Sequence, residues 1–295
     1  MSDTSAILRA KIDSAEKLKS VVRTMKAMAA SSIGSYENAV LALLDYERTV
    51  TLGLTACLRH QPVKPVSAIR QNRNKPVGAI VFGSDQGLVG QFNEAMTAFV
   101  IDTLDKLPGT KKLWVVGERL FARLAETQPD LVGPYQVPGS VSAISQLVGQ
   151  IQIDCETYRT NNEFSLVYLF HNQPQAGAQY QPVCQQLLPL DAPWQRALAS
   201  APWPTHALPE PIGDNETLLS DLVREYLFIS IYQACAESLA SENASRLAAM
   251  QRAEKNIDNL SAQLQQTFSR LRQNAIDEEL FDVIAGFNAL TGFKD

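Results

Sequence analysis

Residues 218–247 read LLSDLVREYLFISIYQACAESLASENASRL, and apolar or small side chains recur there at steps of three and four. This spacing is typical of an α-helix that buries one face. The same period continues to about Leu290, and residues 214–285 contain neither Gly nor Pro. We therefore predict one C-terminal helix of about seventy-five residues, roughly 110 Å long at 1.5 Å per residue.

A second long helix is predicted at the N-terminus. Apolar or small residues recur at helical spacing from Leu8 to Leu54, and Gly34 is the one Gly among residues 1–50, which contain no Pro. This helix would be about fifty residues, or roughly 75 Å, long. Because neither helix can bury its apolar stripe alone, we expect them to form an antiparallel coiled coil. The longer C-terminal helix should then continue past the N-terminus of the first.

The intervening sequence alternates between short apolar runs and helical periods, which predicts an α/β sheet with crossover helices. Strands are predicted at Val77–Gly83, Lys112–Gly117, from Phe164, and as an edge strand at Gln181–Leu190. Helices are predicted at Phe92–Leu107, Glu118–Glu126 and Val141–Arg159. Residues 60–76 and the Pro-rich residues 191–213 are interpreted as irregular connections.

The predicted fold class is therefore α/β with long helices: an antiparallel coiled coil of the terminal helices plus a central Rossmann-like α/β domain. We predict an N-terminal long helix over residues 1–58, the α/β domain over 76–191 and a C-terminal long helix over 212–292.

The composition of the chain disfavours several classes of function. Lys and Arg total 26 against 31 Asp and Glu, so the net charge of -5 disfavours a chain that mainly coats nucleic acid. The four cysteines are widely spaced and the three histidines are isolated from one another. We therefore expect no zinc site, no disulfide framework and no other metal centre. No apolar run is long enough to span a bilayer, so association with a membrane would need a partner.

One glycine-rich turn bears on whether the chain is an enzyme that binds a nucleotide. Gly83–Gly90 reads GSDQGLVG between a strand and a helix, a setting in which such turns bind phosphate. The spacing matches neither dinucleotide-binding nor P-loop motifs, so we favour a structural turn in which Ser84 or Asp85 accepts helical N–H groups. A NAD(P)-dependent reductase is the alternative. Since no nucleophile motif is present, we expect no cofactor and no catalysis by this chain.

Two polar regions of the helices admit two interpretations each. The basic residues between Arg9 and Lys26 fit either a nucleic-acid surface or the solvent-facing side of a coiled coil, which we favour. The slim, polar tract Glu242–Asn259 is interpreted either as an ordinary coiled-coil surface or as a surface that passes close to other subunits.

Four segments resemble motifs of one family. Met25–Ser32 (MKAMAASS) is similar to MxMVAASK, and Ser84–Asn93 (SDQGLVGQFN) is similar to SDRGLCGGLN. Ser241–Met250 (SENASRLAAM) resembles SEQAARMxAM, and Arg272–Leu280 (RQNAIDEEL) resembles RQAxITxEL. These motifs, in this order over the whole chain, resemble those of the γ subunits of F-type ATP synthases.

The resemblance implies a non-catalytic central rotor stalk. Such a stalk turns inside a ring of alternating α and β subunits, contacts the ε subunit and the c-ring, and couples ion-driven rotation to conformational changes at the catalytic β subunits. It also implies a peripheral location at the cytoplasmic face of the inner membrane, reached only through partners, and no binding of nucleic acid. A coiled-coil scaffold without rotary function remains an alternative.

The resemblance further implies two sets of subunit-contact residues. The first set is expected on the stalk near the moving loops of the β subunits and consists of Arg23, Met25, Lys26 and Arg246. The second set is expected where the C-terminal helix meets the loops of the β subunits called catch loops, and it consists of Arg272, Gln273, Asp277 and Glu279. Ser32 and Gln91 depart from the family motifs, which indicates a divergent, bacterial-like lineage.

Overall fold

The computed structural model describes residues 2–60, 76–127, 130–160, 166–175, 179–190, 192–210 and 212–291. Its elements in chain order are α1 (Ser2–His60), β1 (Val77–Phe82), α2 (Phe92–Asp105), β2 (Lys111–Val116), α3 (Glu118–Leu124), β3 (Leu131–Tyr135), α4 (Val141–Thr160), β4 (Leu166–Gln175), β5 (Gln179–Leu188), α5 (Ala192–Ser200) and α6 (Asn215–Thr291).

The chain divides into two compact units. Met1–Met28 and Leu247–Asp295 form one, here called the helical unit, and Ala29–Arg246 form the other, here called the sheet unit. The long helices α1 and α6 contribute residues to both units. This division differs from the three predicted segments, whose boundaries remain a prediction.

The sheet unit contains a five-stranded sheet in the order β3-β2-β1-β4-β5. Strand β1 pairs in parallel with β2 and β4, and β2 pairs in parallel with β3. Strand β5 is antiparallel to β4 and lies at the edge, as the sequence predicts. The combination of long terminal helices with a central, mostly parallel sheet confirms the predicted fold class.

Helices cover both faces of this sheet. Alternate residues of β1 point to opposite faces, so Val77, Ala79 and Val81 belong to one buried cluster and Ile80 and Phe82 to another. The first cluster includes side chains of α2 and α3, and the second includes side chains of α4 and of α6 between residues 231 and 240. Burial on both faces explains why β1 is an almost continuous apolar run.

The long helices run antiparallel within each unit. In the sheet unit, the Tyr46 hydroxyl donates to Glu225 Oε2 at 2.6 Å, and further along α1 the Cys57 carbonyl accepts from Asn215 Nδ2, nearer the start of α6, at 3.5 Å. In the helical unit, Lys19 pairs with Asp258 and Lys26 with Glu254. Within the described ranges, no helix is both long enough and apolar enough to cross a bilayer.

Two elements were not predicted. Strand β3 contains Gly133 and Pro134, which weaken its local signal, and its pairing with β2 stabilises it. The interpretation of residues 191–213 as wholly irregular was wrong, because α5 lies there.

Tertiary contacts hold α5 in place. Pro193 lies in its first turn, where the absence of an N–H does no harm. Trp194 packs on Tyr226 with ring centroids 5.1 Å apart, and Arg59 donates to the carbonyl oxygens of Ala199 and Ala201 at the other end. The predicted connection at 60–76 lies, apart from its end residues, outside the described residues.

Candidate functional site

A cluster of charges joins α1 and α6 in the helical unit. Lys19, Arg23 and Lys26 lie four and three residues apart, so they share one face of α1. Glu254 and Asp258, four apart, share one face of α6. Arg23 Nε lies 2.8 Å from Glu254 Oε1, Lys26 Nζ lies 2.5 Å from Glu254 Oε2, and Lys19 pairs with Asp258. Two of the predicted contact residues thus meet on one carboxylate of their own chain.

The Glu254 carboxylate takes part in two of these ion pairs. Hydrogen bonds from Lys26 and then Arg23 lower its pKa to about 2, so it is ionised at neutral pH. The Glu254 side chain is largely covered, whereas the Arg23 side chain is 60% exposed. The cluster therefore keeps one exposed guanidinium while fixing the two helices in register.

An apolar seam lies beside these charges. Ala15 and Val22 of α1 and Met250 of α6 are buried, and Met25 is half-buried. Ala15, Val22 and Met25 recur along α1 at steps of seven and three, so they share one side of the helix. The basic residues lie next to that side. For Lys19, Arg23 and Lys26, the interpretation as the charged side of a coiled coil therefore agrees with the structure.

Arg246 lies in the sheet unit, on α6, and is mostly buried. Its Nη2 lies 2.5 Å from Glu242 Oε1, and its Nη1 lies 3.4 Å from Asn243 Oδ1. Burial raises the pKa of Glu242, although the charge of Arg246 opposes that effect. Arg246 Nε and Glu242 Oε2 are buried without a partner among the described residues. The pair is thus incompletely satisfied within the chain.

The remaining four predicted contact residues lie near the end of α6, and all are exposed. They are Arg272, Gln273, Asp277 and Glu279, and none of their side chains forms a hydrogen bond or ion pair with a described residue. Every residue from 276 to 287 is exposed, including Phe281 and Val283 at 69% each. Residues 273–291 contain four carboxylates and no Lys or Arg. This end of α6 offers an acidic and apolar surface.

The turn after β1 is built from the chain's own hydrogen bonds. Asp85 accepts from Glu118 N through Oδ1 and from Val137 N through Oδ2, both at 2.9 Å. Ser84 N donates to Asn93 Oδ1 at 3.1 Å, and Asn93 Nδ2 donates to Ser84 Oγ at 2.8 Å. Asp85 therefore caps the first N–H of α3. This supports the structural interpretation of the turn over a phosphate loop.

Gly83 in the same turn permits a close approach of α3. A Cβ at this position would lie 2.4 Å from the Cβ of Leu120, well inside van der Waals contact. The glycine is therefore explained by packing between strand and helix rather than by a ligand.

The polar tract 242–259 is only partly a surface. Glu242, Asn243 and Ser245 are buried, and Ser245 Oγ donates to Val89 O at 2.5 Å. For these residues both interpretations of the tract as a surface were wrong, because α6 packs here against the turn after β1.

Glu254 is a site residue that the sequence interpretation missed. It lies 228 residues from Lys26 along the chain, and nothing local marks it among the other charges of α6. One signal in the sequence was available. Glu254 and Asp258 are four residues apart, as Lys19 and Arg23 are, so each pair lies on one face of its helix. Among the residues that the structure describes, no three His, Cys, Asp or Glu side chains are placed to hold a metal ion.

Comparison with known proteins assigns the chain to a family. A family model described as ATP synthase matches residues 4–290. The chain is similar to the ATP synthase gamma chain of Cupriavidus pinatubonensis, with 27% identity over 288 residues, covering 96% of this chain and 98% of the relative. It is also 29% identical over 290 residues to the ATP synthase gamma chain of Methylibium petroleiphilum, with the same coverage of each chain.

Solved structures have a similar fold. A chain of the Euglena gracilis mitochondrial ATP synthase, in the OSCP/F1/c-ring part in rotational state 3, matches with a TM-score of 0.67 and 16% identity, covering 100% of this chain and 97% of that chain. A chain of the rotor of the same synthase in rotational state 1 matches with a TM-score of 0.66 and 14% identity, covering 94% and 100%. The motifs in the sequence, the two long terminal helices, the mostly parallel sheet and the match over nearly the whole length agree: the chain belongs to the ATP synthase gamma-chain family.

Proposed function

We propose that this chain is the central stalk of an F-type ATP synthase and couples ion-driven rotation of the c-ring to conformational changes at the catalytic β subunits. The observation that carries the proposal is the match to gamma chains over nearly the whole chain, together with two long helices paired antiparallel. An asymmetric stalk presents a different side to each β subunit, so the three sites differ in nucleotide affinity at any instant.

Stiffness is the mechanical requirement of such a stalk, because torque is lost if the helices twist past one another. The absence of Gly and Pro from residues 214–285 removes the usual causes of kinks in α6. The ion pairs of Lys19 with Asp258, and of Arg23 and Lys26 with Glu254, join α1 to α6 at successive turns. Their role in this proposal is to resist sliding between the two helices.

The contacts with the ring are assigned to exposed charges. Arg23 remains mostly exposed despite its bond to Glu254, so it can also meet a carboxylate of a β-subunit loop, with Met25 and Lys26 beside it. Arg246 is mostly buried beside Glu242, so only the small exposed part of its side chain is available to the ring. At the end of α6, the exposed side chains of Arg272, Gln273, Asp277 and Glu279 offer donors and acceptors for the catch loops. Such charge-assisted bonds are strong yet reversible at each step.

The proposed partners are the α and β subunits, the ε subunit and the c-ring. The chain binds no cofactor and performs no chemistry itself, since catalysis belongs to the β subunits. It is held peripherally at the cytoplasmic face of the inner membrane through these partners.

Co-purification tests the stalk function. The tagged chain, isolated from membranes, should bring α and β subunits in roughly 3:3:1 proportion, as expected for a closed ring around one stalk. The purified chain alone should hydrolyse no ATP. If the ring subunits are absent, or if the pure chain turns over ATP, the proposal fails.

A matched pair of variants tests the assigned contacts and separates a stalk from a passive scaffold. In the assembled complex, the double variant Asp277→Ala with Glu279→Ala should lower ATP-driven ion pumping at least roughly threefold, because charge-assisted bonds to the ring are lost. The control variant Glu278→Ala with Asp282→Ala removes two exposed carboxylates from the same part of α6 and should leave pumping nearly unchanged. Equal effects would reject these contact residues, and no effect of truncating residues 273–295 on coupling would favour a scaffold.

A further inference from the structure

The carboxylate of Glu254 holds two cations of α1 at the same time. Its Oε1 accepts from Arg23 Nε at 2.8 Å, and its Oε2 accepts from Lys26 Nζ at 2.5 Å. All three residues lie in the helical unit. A terminal carboxylate on its own rotates over a broad range. Because each oxygen of Glu254 is held by a different residue of α1, rotation would break one of the two bonds, and Arg23 meets an acceptor in a fixed position.

The bond through Nε leaves the far edge of the Arg23 guanidinium unused. A guanidinium has five N–H donors in one plane, one on Nε and two on each Nη atom. Glu254 takes the Nε donor, and neither Nη1 nor Nη2 donates a hydrogen bond to a described residue. The Arg23 side chain is 60% exposed. The edge formed by Nη1 and Nη2 therefore remains for a partner, and its two parallel donors match the two oxygens of a carboxylate.

The charges of the cluster indicate that this partner is an anion. Lys19, Arg23 and Lys26 contribute three positive charges, and Glu254 and Asp258 contribute two negative charges, so one positive charge is left over. The Arg23 side chain is the most exposed of the three cations, because the Lys19 side chain is 29% exposed and that of Lys26 is 35% exposed. The excess charge is therefore most accessible at Arg23, where it attracts a negatively charged group.

We propose that Glu254 is a positioning residue of the stalk, which holds Arg23 by Nε so that Nη1 and Nη2 receive a carboxylate of a ring loop through two parallel hydrogen bonds. This role rests on the stalk function proposed above. It differs from resisting the sliding of the helices, because the ring contact then needs the planar fork of an arginine in one orientation and not only a positive charge. Glu254 and Arg23 should act as one unit in that contact, whereas Asp258 should act independently.

NMR of the full 295-residue chain tests whether Glu254 holds Arg23. The Nε–H signal of Arg23 is assigned by its loss in Arg23→Lys. In Glu254→Ala this signal should shift, and its exchange with solvent should become at least about tenfold faster, because the hydrogen bond that protects it is lost. Asp258→Ala is the matched control, since it removes the neighbouring ion pair with Lys19 and should leave the Arg23 signal unchanged. Alanine favours helix, so both variants should fold.

A double-variant cycle in the assembled complex separates positioning from simple bracing of the helices. Glu254→Ala should lower the ions pumped per ATP hydrolysed roughly threefold, and it should cause no further loss once Arg23→Ala is present. If Glu254 only braced the helices, its loss would add to that of Arg23, because Lys26 would still lose its partner. The effect of Asp258→Ala should be the same with and without Arg23→Ala. Arg23→Lys keeps the charge but lacks the fork, so it should lower pumping at least roughly twofold.

Failure of the positioning role can be told apart from failure of the stalk function. If α and β subunits accompany the chain but Glu254→Ala lowers pumping further in the Arg23→Ala background, the positioning role is overturned and the stalk function stands. The role is also overturned if Arg23→Lys pumps as the parent does, or if Glu254→Ala and Asp258→Ala affect the Arg23 signal alike. If the ring subunits do not accompany the chain, the stalk function itself fails, and the contact between Arg23 and the ring fails with it.

Discussion

The sheet unit and the helical unit are stabilised in different ways. In the sheet, both faces of the central strands are covered, and side chains such as Ala79, Leu113 and Leu120 have no exposed surface. In the helical unit, among residues whose side chains the structure describes, only Ala15, Val22 and Met250 are buried to a comparable degree. Charged pairs flank this narrow seam. One unit therefore depends mainly on buried volume, and the other depends more on register and charge.

The difference has a physical origin. Apolar stabilisation grows with the area removed from water, so a sheet sandwiched between helices gains far more per residue than two paired helices. Two helices alone cannot bury a wide stripe, and ion pairs then contribute a larger share of their specificity. A narrow pair of helices held in register by charges suits the central stalk that we propose.

The largest expected effect comes from removing buried volume. Leu113→Ala in β2 should lower the free energy of unfolding by about 2–5 kcal/mol, because the cavity left behind cannot collapse fully. The same change at Leu260 of α6, which is 50% exposed, should cost less than about 1 kcal/mol. Chemical denaturation followed by circular dichroism measures both. Similar costs for the two variants would contradict the distinction between the units.

A smaller contrast is expected from adding one methyl group. Gly83→Ala should destabilise the sheet unit by at least about 2 kcal/mol, because the new Cβ would lie 2.4 Å from Leu120 Cβ and the backbone must shift. Trimming Leu120 to Ala cannot relieve this clash, since the Cβ remains. Gly286→Ala in α6 meets no atom within 4 Å and should raise helix stability by up to about 1 kcal/mol. Thermal melting of both variants gives the sign, and a neutral Gly83→Ala would disprove the close packing.

The smallest effect is a pH dependence in the helical unit. Hydrogen bonds from Lys26 and Arg23 lower the pKa of Glu254 from 4.5 to about 2 in the folded chain. Because the folded pKa is depressed, the stabilisation is fully present above about pH 4.5 and is lost as the pH falls towards about 2. Glu254→Gln should therefore flatten the fall in melting temperature across that window.

Its control is Glu278→Gln, which removes an exposed carboxylate that forms no ion pair with a described residue. This variant should keep the parental slope between about pH 4.5 and about pH 2. Added salt should reduce the difference between parent and Glu254→Gln, since the charges are close to solvent. If both variants titrate alike, Glu254 is not paired in solution.

Much of the fold could be predicted from local pattern. The two long helices follow from a helical period without Pro, and β1 follows from an apolar run that only a strand buried on both faces needs. Strand β3 and helix α5 could not be predicted in this way. Pro134 and Pro193 argue locally against regular structure, and contacts with β2 and Tyr226 outweigh that preference.

The candidate site was predictable to a lesser degree. The basic face formed by Lys19, Arg23 and Lys26 is visible in the sequence because helix geometry places residues three and four apart together. Its acidic partner is not visible, because pairing with Glu254 depends on the register of two helices separated by more than 150 residues of intervening chain. The same holds for His171 and Glu237, which meet only when α6 packs on the sheet.

The sequence by itself determined the presence of two long helices, the existence of the α/β sheet and the membership of the family. Periodicity, the placement of Gly and Pro, and local motifs all act over short distances along the chain. The tertiary structure alone decided which charges are paired, which polar residues of α6 are buried and where an acceptor is left without a donor. These features depend on distances between residues far apart in the chain, and such distances exist only after the helices and the sheet have packed.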